Sequence, residues 1–325
     1  MTNAFATIAR GVLAGEAASA FNADYRVYAL PPKRVGRVRT LSLLADETRT
    51  TTVPRPFTHA APPAVLHPGP GEALEWFTFS ARQHAHSLGL QEWRALAEAE
   101  PPVRSRIGTK LALQNLRAGA EPPQSGHDNA HYFDDIAMVR ALAAVAIVGG
   151  DGARDAAIAD ASVTHALDGV WCAEATVQLA TALIAGASAA DAVAAAMDAL
   201  PAQTWSRRMA EASLAVAADA GGALDRARRL SVEVGDWIYS YPIAAPETLG
   251  FLLAHVSAAE SAEELMLGVL AQPRNAASLP AVAGAIAALR FGEDWIAGDL
   301  RLEDARLTGL SVASFAGRTV TEAIG

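Results

Sequence analysis

Alanine-rich helical segments fill most of the chain, and they constrain its fold more than any other feature. Hydrophobic residues make up 51% of the 325 residues, but aromatic residues make up only 6%. Alanine has the highest helix propensity, whereas strands favour β-branched and aromatic residues. Most segments after Asp134 begin with Ser, Thr, Asp or Pro, and several end at Gly or Pro, as helices do. The pattern predicts an all-α fold.

The stretch from about 23 to 70 differs from the rest. It contains many prolines, several basic residues and β-branched pieces such as TRTTTVP, so we expect it to be extended or irregular. A helical pattern at 7–20 precedes it, and helices follow it. No fixed-period repeat and no convincing linker interrupts the chain, which predicts a single helical domain over residues 1–325.

Charge and apolar run lengths exclude two classes of partner. The net charge is −9 at pH 7, and no basic stripe is present, which argues against general nucleic-acid binding. The longest apolar runs, such as Ala141–Val148, are too short to span a bilayer. The lone Cys172 cannot form an internal disulfide and fits a reducing compartment. We expect a cytoplasmic protein that binds neither nucleic acid nor membranes.

The segment SGHDNAHYFDDIAMVRAL, residues 125–142, concentrates acids and histidines directly before an apolar helix. Asp134 and Asp135 at a helix start could simply cap free backbone amides and interact with the helix dipole. Capping does not require His127, Asp128 and His131 nearby. Adjacent carboxylates approached by a polar loop can also hold a hard cation through oxygen ligands. Both interpretations stay open.

Two further groups of residues allow a structural and a functional interpretation. In THALDGVW, His165 and Asp168 are three residues apart, which predicts one helix face and either a local hydrogen bond or a ligand-binding pair. In GDWIYSYP, Trp237 and Tyr239 precede a helix whose first turn carries Glu247. Such aromatic residues could pack the core or floor a pocket for a flat ligand.

Five segments together resemble the ADP-ribosylglycohydrolase family, and they occur in the family's order from residue 7 to about 297. The correspondence covers the family's opening R-G-x-L-x-G motif, its T-D-D-T-x-M motif, its S-H-x-x-D helix, its E-T-L-P-A-A-L helix and its closing D-T-D helix. The matching segments are IARGVLAGEAASAF, HYFDDIAMVRALA, VTHALDGVWCAEA, YPIAAPETLGFLLAHV and NAASLPAVAGAIAALRFGEDWI.

The resemblance implies an orthogonal multi-helix domain that uses magnesium or manganese ions to cleave a bond at an anomeric carbon. It implies that Asp134 and Asp135 are metal ligands. It also implies that His165 lines the ribose or phosphate pocket. The distal D-T-D-T metal motif falls on Asn275 to Ser278, where Asn275 and Ala277 stand at the two carboxylate positions and Ser278 at the last threonine. Asn275 and Ser278 are the metal ligands that the resemblance would still allow there. Because both distal carboxylates are missing, one ion is expected in preference to two, or none.

The residues and the resemblance together predict a hydrolase that cleaves an N- or O-glycosidic bond of an ADP-ribosyl group or a related nucleoside. Asp134, Asp135 and Asp128 would be catalytic, because carboxylates can cut glycosidic bonds by acid–base chemistry. The predicted substrate-binding residues are His127, His131, His165, Asp168, Trp237 and Tyr239. The substrate would be a small molecule or an ADP-ribosylated one. The alternative is a pseudoenzyme that binds a nucleotide-like ligand or a protein partner without turnover.

Overall fold

The structure, a computed structural model, describes residues 3–28, 69–100, 102–235, 242–272 and 274–325. These residues contain fifteen α-helices and no β-strand. The all-α prediction is confirmed. The helices are α1 (Asn3–Tyr28), α2 (Glu72–His86), α3 (Leu90–Ala97), α4 (Ile107–Arg117), α5 (Gln124–His127), α6 (Ile136–Ile147), α7 (Gly152–Ser162), α8 (Asp168–Ile184), α9 (Ala189–Asp198), α10 (Trp205–Asp219), α11 (Ala223–Arg229), α12 (Ala245–Ala258), α13 (Ala262–Leu270), α14 (Leu279–Phe291) and α15 (Val320–Ile324).

The first helix is longer than the sequence pattern predicts. We expected a helix over 7–20 and an irregular segment near 23–70, but α1 continues to Tyr28, so the prediction is wrong for residues 23–28. The expectation for 29–68 falls outside the described residues. Of the described helices, none is both long enough and apolar enough to cross a bilayer.

Helix α6 lies at the centre of the structure and positions the acidic pair. Every residue from Ile136 to Ala146 is buried, as expected for a helix that is apolar on almost all sides. Helices α1, α2, α7, α8 and α14 pack around it. Because Asp134 and Asp135 directly precede this helix, they lie where the polar loop enters the core.

Helices α1 and α14 approach each other closely through glycine. A Cβ atom on Gly284 of α14 would lie 2.2 Å from the carbonyl oxygen of Gly11 in α1, and one on Gly15 would lie 1.9 Å from the carbonyl oxygen of Pro280. Both distances are far below any normal contact with a Cβ, and the obstructing atoms belong to the backbone. The pair can therefore keep its present spacing only with glycine at these positions.

A buried polar cluster joins α11, α12 and α13 away from the acidic pair. The Nε–H of Arg226 donates to Nδ1 of His255 over 3.1 Å, and Arg226 also contacts Glu264 over 3.3 Å. Burial, and secondarily the charge of Arg226, lowers the pKa of His255 from 6.5 to about 3. The imidazole is therefore neutral in the folded protein at neutral pH.

We predict that Gly284→Ala lowers the free energy of unfolding by about 3 kcal/mol, because the added methyl group forces two backbones apart. Urea unfolding followed by circular dichroism measures the change. Gly298→Ala is the matched control, since a Cβ there meets no atom within 4 Å and the variant should stay within about 0.5 kcal/mol of the wild type. Equal effects of the two substitutions would contradict the close approach.

We also predict that acid destabilises the protein through His255. Between pH 6.5 and about 3 the unfolded chain binds a proton that the folded chain excludes. The free energy of unfolding therefore falls as the pH falls through this window, with a slope approaching about 1.4 kcal/mol per pH unit from this group, and its contribution is complete above pH 6.5. Urea titrations at several pH values should show a shallower dependence for His255→Gln, and an unchanged slope would refute the assignment.

Candidate functional site

The acidic pair lies where the N-terminal ends of four helices meet. Asp134 and Asp135 precede α6, Glu72 begins α2, Thr248 lies in the first turn of α12, and Ser278 precedes α14. Helix N-termini carry partial positive charge and free N–H groups, so they favour carboxylates. The folding of the core thus brings acids and hydroxyl groups from distant parts of the chain to one place.

Helix α2 is fixed at this place by a carboxylate from α1. Glu16 accepts hydrogen bonds from the backbone amides of Gly71 (2.7 Å), Ala73 (2.7 Å) and Leu74 (3.2 Å). Gly71, which precedes the helix, has no side chain that could serve as a cap. Glu16 therefore takes the role of the N-cap and holds the start of α2, together with Glu72, against α1.

Both carboxylate oxygens of Asp135 are bound by groups of the chain itself. Nη1 of Arg106 donates to Oδ1, and the Thr248 hydroxyl donates to Oδ2 over 2.6 Å. The side chain is fully buried and makes no capping hydrogen bond to α6. The Asn275 amide lies 2.6 Å from the same Thr248 hydroxyl oxygen. Asp135 is thus the centre of a hydrogen-bond network that joins α6, α12 and the approach to α14.

Arg106 supplies the positive charge for this network. Its three guanidinium nitrogens contact three different side chains: Nε donates to Glu72 (3.0 Å), Nη1 to Asp135, and Nη2 to the Ser278 hydroxyl (2.8 Å). Burial opposes a charge on this group, yet Glu72, Asp135 and Asp134 raise its pKa above the ordinary value for arginine. The guanidinium is charged, and only 8% of the side chain is exposed.

Asp134 has a separate set of partners. Its Oδ1 accepts from the backbone amide of Ile136 (3.0 Å), so this aspartate caps the start of α6, and it also lies 3.0 Å from Nε2 of His165. Nδ1 of His165 lies 2.6 Å from the Thr164 hydroxyl, to which Arg140 donates over 2.8 Å. Because an ionised carboxylate can only accept, the Nε2–H of His165 donates to Asp134.

The two carboxyl groups have pKa values that move in opposite directions. Burial raises the pKa of Asp135, with opposition from Arg106 and the Thr248 hydroxyl. Burial also works against ionisation of Asp134, but His165 and Arg106 outweigh it and lower the pKa of that group. Divergent pKa values in a carboxylate pair are typical of acid–base catalysis. Here, however, the exposed fractions are only 1% for Asp134 and 0% for Asp135.

A family model for ADP-ribosylglycohydrolases matches residues 65–323, most of the chain. The chain belongs to the ADP-ribosylglycohydrolase family. A solved structure described as an ADP-ribosylglycohydrolase-related protein complex superimposes with a TM-score of 0.57 at 18% identity, covering 100% of this chain and 98% of that one. At this identity the likeness establishes the fold alone. The comparison with curated proteins returned no match.

The ADP-ribosylglycohydrolase resemblance implies metal ions at this place, and the donors present do not fit them. Both oxygens of Asp135 are occupied by Arg106 and Thr248, while Ser278 and Asn275 contact those same two residues. The remaining oxygen of the two aspartates is Oδ2 of Asp134, which is buried without a hydrogen-bond partner. It lies so close to Gly108 that a Cβ there would be 2.4 Å away. One free oxygen from the aspartate pair, beside a guanidinium that also binds Glu72, is a poor ligand set for Mg²⁺ or Mn²⁺.

The rest of the described residues offers no better set of metal ligands. Within them, no cluster of three or more His, Cys, Asp and Glu side chains could hold a metal ion. The prediction of one ion stays a prediction, and the arrangement of donors argues against it.

His127 and Asp128 lie at the surface, not with the aspartates in the core. They follow one another at the end of α5, their side chains are 63% and 60% exposed, and Nδ1 of His127 lies 3.4 Å from Oδ1 of Asp128. His131 is half-buried, with its ring centre 6.4 Å from that of Phe133. Trp237 and Tyr239 fall outside the described residues.

His165 and Asp168 do not share a helix face, so that prediction is wrong. Helix α8 begins only at Asp168, and Leu167 before it has a left-handed backbone conformation with φ of 45°. The turn sends His165 to Asp134, while Oδ1 of Asp168 accepts from the backbone amide of Ser206 over 2.8 Å. Asp168 therefore anchors the start of α10, and its role in substrate binding stays a prediction.

Sequence reasoning missed Arg106, Thr248 and Glu72. In the segment VRSRIGTK, Arg106 is indistinguishable by local pattern from Arg104 two residues earlier. Its contacts with Asp135 and Ser278 span 29 and 172 residues of sequence. Only the long-range packing identifies it.

We predict that His165→Ala lowers the free energy of unfolding by about 2–3 kcal/mol. The substitution removes a hydrogen bond to a buried, ionised Asp134 and a second one between His165 and the Thr164 hydroxyl. His127→Ala is the control, because His127 is exposed and its substitution should change stability by less than about 0.5 kcal/mol. Urea unfolding at pH 7 measures both. A wild-type stability for His165→Ala would show that its contact with Asp134 contributes nothing.

Proposed function

We propose that this member of the ADP-ribosylglycohydrolase family binds an ADP-ribosyl group or a related nucleotide without hydrolysing it by the metal-dependent route. The observation that carries the proposal is the occupation of Asp135 by Arg106 and Thr248. Because Asp135 is also fully buried, and a guanidinium lies against it, it is poorly placed to orient an ion, a water molecule and a ribose hydroxyl. The family membership supports a ligand that carries an ADP-ribosyl group.

Partly exposed aromatic side chains beside the acidic pair support a binding role. His131, Tyr132 and Phe133 directly precede Asp134, and Trp205 begins α10. The Phe133 ring lies 5.2 Å from the ring of Tyr132 and 5.2 Å from that of Trp205, both edge-to-face. We call these four residues the aromatic ledge. Aromatic faces at the surface suit the flat base of a nucleotide, which stacks without needing a metal ion.

The backbone holds the aromatic ledge in place. The carbonyl oxygen of Phe133 accepts from the amide of Ala245 over 2.8 Å, and that of Tyr132 accepts from Ala166 over 3.2 Å. The loop is therefore tied to the start of α12 on one side and to the turn before α8 on the other. A preorganised surface loses less conformational entropy when a ligand binds.

Metal-independent hydrolysis is the second candidate, and the exposure of Asp128 favours it. Asp128 and His127 form a solvent-accessible acid–imidazole pair, which is the chemistry that general acid–base cleavage of a glycosidic bond requires. Family membership supports hydrolysis as a class of activity. Against it stands the burial of Asp134 and Asp135, which removes both carboxylates from contact with a substrate in solution.

For the binding proposal, we predict that free ADP-ribose binds the protein and that Trp205→Leu weakens this binding about 5- to 150-fold, because stacking on one aromatic side chain contributes about 1–3 kcal/mol. Isothermal titration calorimetry measures the affinity in the presence of EDTA. Trp295→Leu, at a partly buried tryptophan outside the aromatic ledge, is the control and should retain wild-type affinity. No heat with ADP-ribose or AMP for the wild type would refute the proposal.

For turnover, we predict no release of ADP-ribose from ADP-ribosylated arginine or serine peptides, with EDTA or with added Mg²⁺ or Mn²⁺. Chromatography of the reaction mixture measures the product. Metal-dependent release that disappears in Asp135→Asn would contradict the proposal. Release in EDTA that disappears in Asp128→Asn would instead establish the second candidate.

A further inference from the structure

We infer that Arg106 is a built-in replacement for the divalent cation that the ADP-ribosylglycohydrolase resemblance implies at Asp135 and at the distal motif. The inference deepens the proposed function by explaining how the chain keeps its acidic pair without a metal ion. It does not depend on any ligand of the aromatic ledge, so either proposal can fail while the other holds.

The contacts of the guanidinium place it between the two parts of the implied metal site. Asp135 stands in the segment that resembles the T-D-D-T motif, and Ser278 stands at the last position, a threonine, of the distal D-T-D-T motif. Nη1 of Arg106 contacts the first and Nη2 contacts the second, at 2.8 Å for Ser278. One cationic group thus joins the two segments that a bridging ion would join.

The charges around Arg106 require a cation there. Asp135 is fully buried, and Glu72 and Asp134 add negative charge around the same group. A buried carboxylate without a countercharge is strongly destabilising, whereas one paired with a hydrogen-bonded cation is tolerated. The three carboxylates raise the pKa of Arg106, so its charge does not depend on pH in the range where proteins are folded.

The distal substitutions match this replacement. A guanidinium carries one positive charge, whereas a divalent ion carries two, so it can neutralise fewer carboxylates. Where the resemblance implies carboxylates, this chain has Asn275 and Ala277, which are neutral. The Ser278 hydroxyl accepts from Arg106, and Asn275 contacts Thr248, which binds Asp135. The absence of the two distal carboxylates therefore matches the single positive charge of Arg106.

The shape of the guanidinium also fits these acceptors. Arginine presents five N–H groups in a plane, whereas Mg²⁺ requires octahedral oxygen ligands. Each nitrogen of Arg106 contacts a different side chain, from the starts of α2, α6 and α14. The arrangement serves a planar donor and offers no octahedral set.

Manganese binding tests the inference directly. Electron paramagnetic resonance of Mn²⁺ distinguishes bound from free ion, and thermal unfolding measures the effect of the ion on stability. For the wild type we expect no Mn²⁺ binding that depends on Asp135 and an unchanged melting temperature on adding EDTA. For Arg106→Ala we expect a lower melting temperature, at least about tenfold tighter Mn²⁺ binding than the wild type, and recovery of part of the lost melting temperature when Mn²⁺ is added.

Two further variants control for the loss of packing. Arg106→Lys keeps the charge and should not gain Mn²⁺ binding, while Arg106→Ala/Asp135→Asn lacks the acceptor and should show no recovery. If Arg106→Ala does not fold, Arg106→Gln, which is closer in size, replaces it. Mn²⁺ binding by the wild type that is lost in Asp135→Asn would overturn the inference. A folded, neutral Arg106 variant with no gain in Mn²⁺ affinity would overturn it as well.

Discussion

A charged guanidinium among buried carboxylates is the interaction on which the rest of the site depends. Four helices begin at this place, and their N-termini attract acidic side chains into the core. Acids that are drawn inside need a countercharge, because burial alone would push their pKa values up and cost stability. Arg106 provides it to Glu72 and Asp135 at once, while Asp134 is hydrogen-bonded to the imidazole of His165. The same contacts of Arg106 therefore hold the starts of α2, α6 and α14 together and balance the charge of the site.

If Arg106 replaces the ion, as we infer, the chain keeps the family's fold without the metal chemistry that the resemblance implies. The family match extends over residues 65–323, and the helical architecture is retained. In the replacement that we infer, a guanidinium stands where the resemblance implies a metal ion, and fewer carboxylates surround it. A side-chain cation can hold the same helix N-termini together as a metal ion, because both neutralise the same acidic side chains. It cannot thereby keep a Lewis acid, because a guanidinium has no empty coordination position to offer a water molecule or a hydroxyl oxygen.

The helices could be predicted from the sequence, and the resemblance implied that the acidic pair lies near His165, Asn275 and Ser278. The arginine that binds the acidic pair could not be predicted. Helix prediction succeeded because alanine content, capping residues and Gly or Pro stops are local signals. The resemblance placed the distant segments in one site because it carries information about the whole fold. Arg106 escaped detection because its role is set by contacts across as many as 172 residues of sequence, and no local pattern marks it. His165 and Asp168 were assigned to one helix face because periodicity does not reveal the turn at Leu167, whose φ of 45° directs the two side chains to different partners.

The composition of the segment from His127 to Asp135 follows from how deep each residue lies. At one end, His127 and Asp128 are exposed and pair with each other. In the middle, His131, Tyr132 and Phe133 are half-buried, with their rings against one another and against Trp205. At the other end, Asp134 and Asp135 are buried at the start of a core helix. A chain that passes from solvent to core within nine residues needs polar groups outside, aromatic groups at the boundary and paired acids inside. Because a ligand in solution can reach only the first two layers, the ligand that we propose would contact the aromatic ledge. The aspartates lie beneath it and hold the start of the helix that follows.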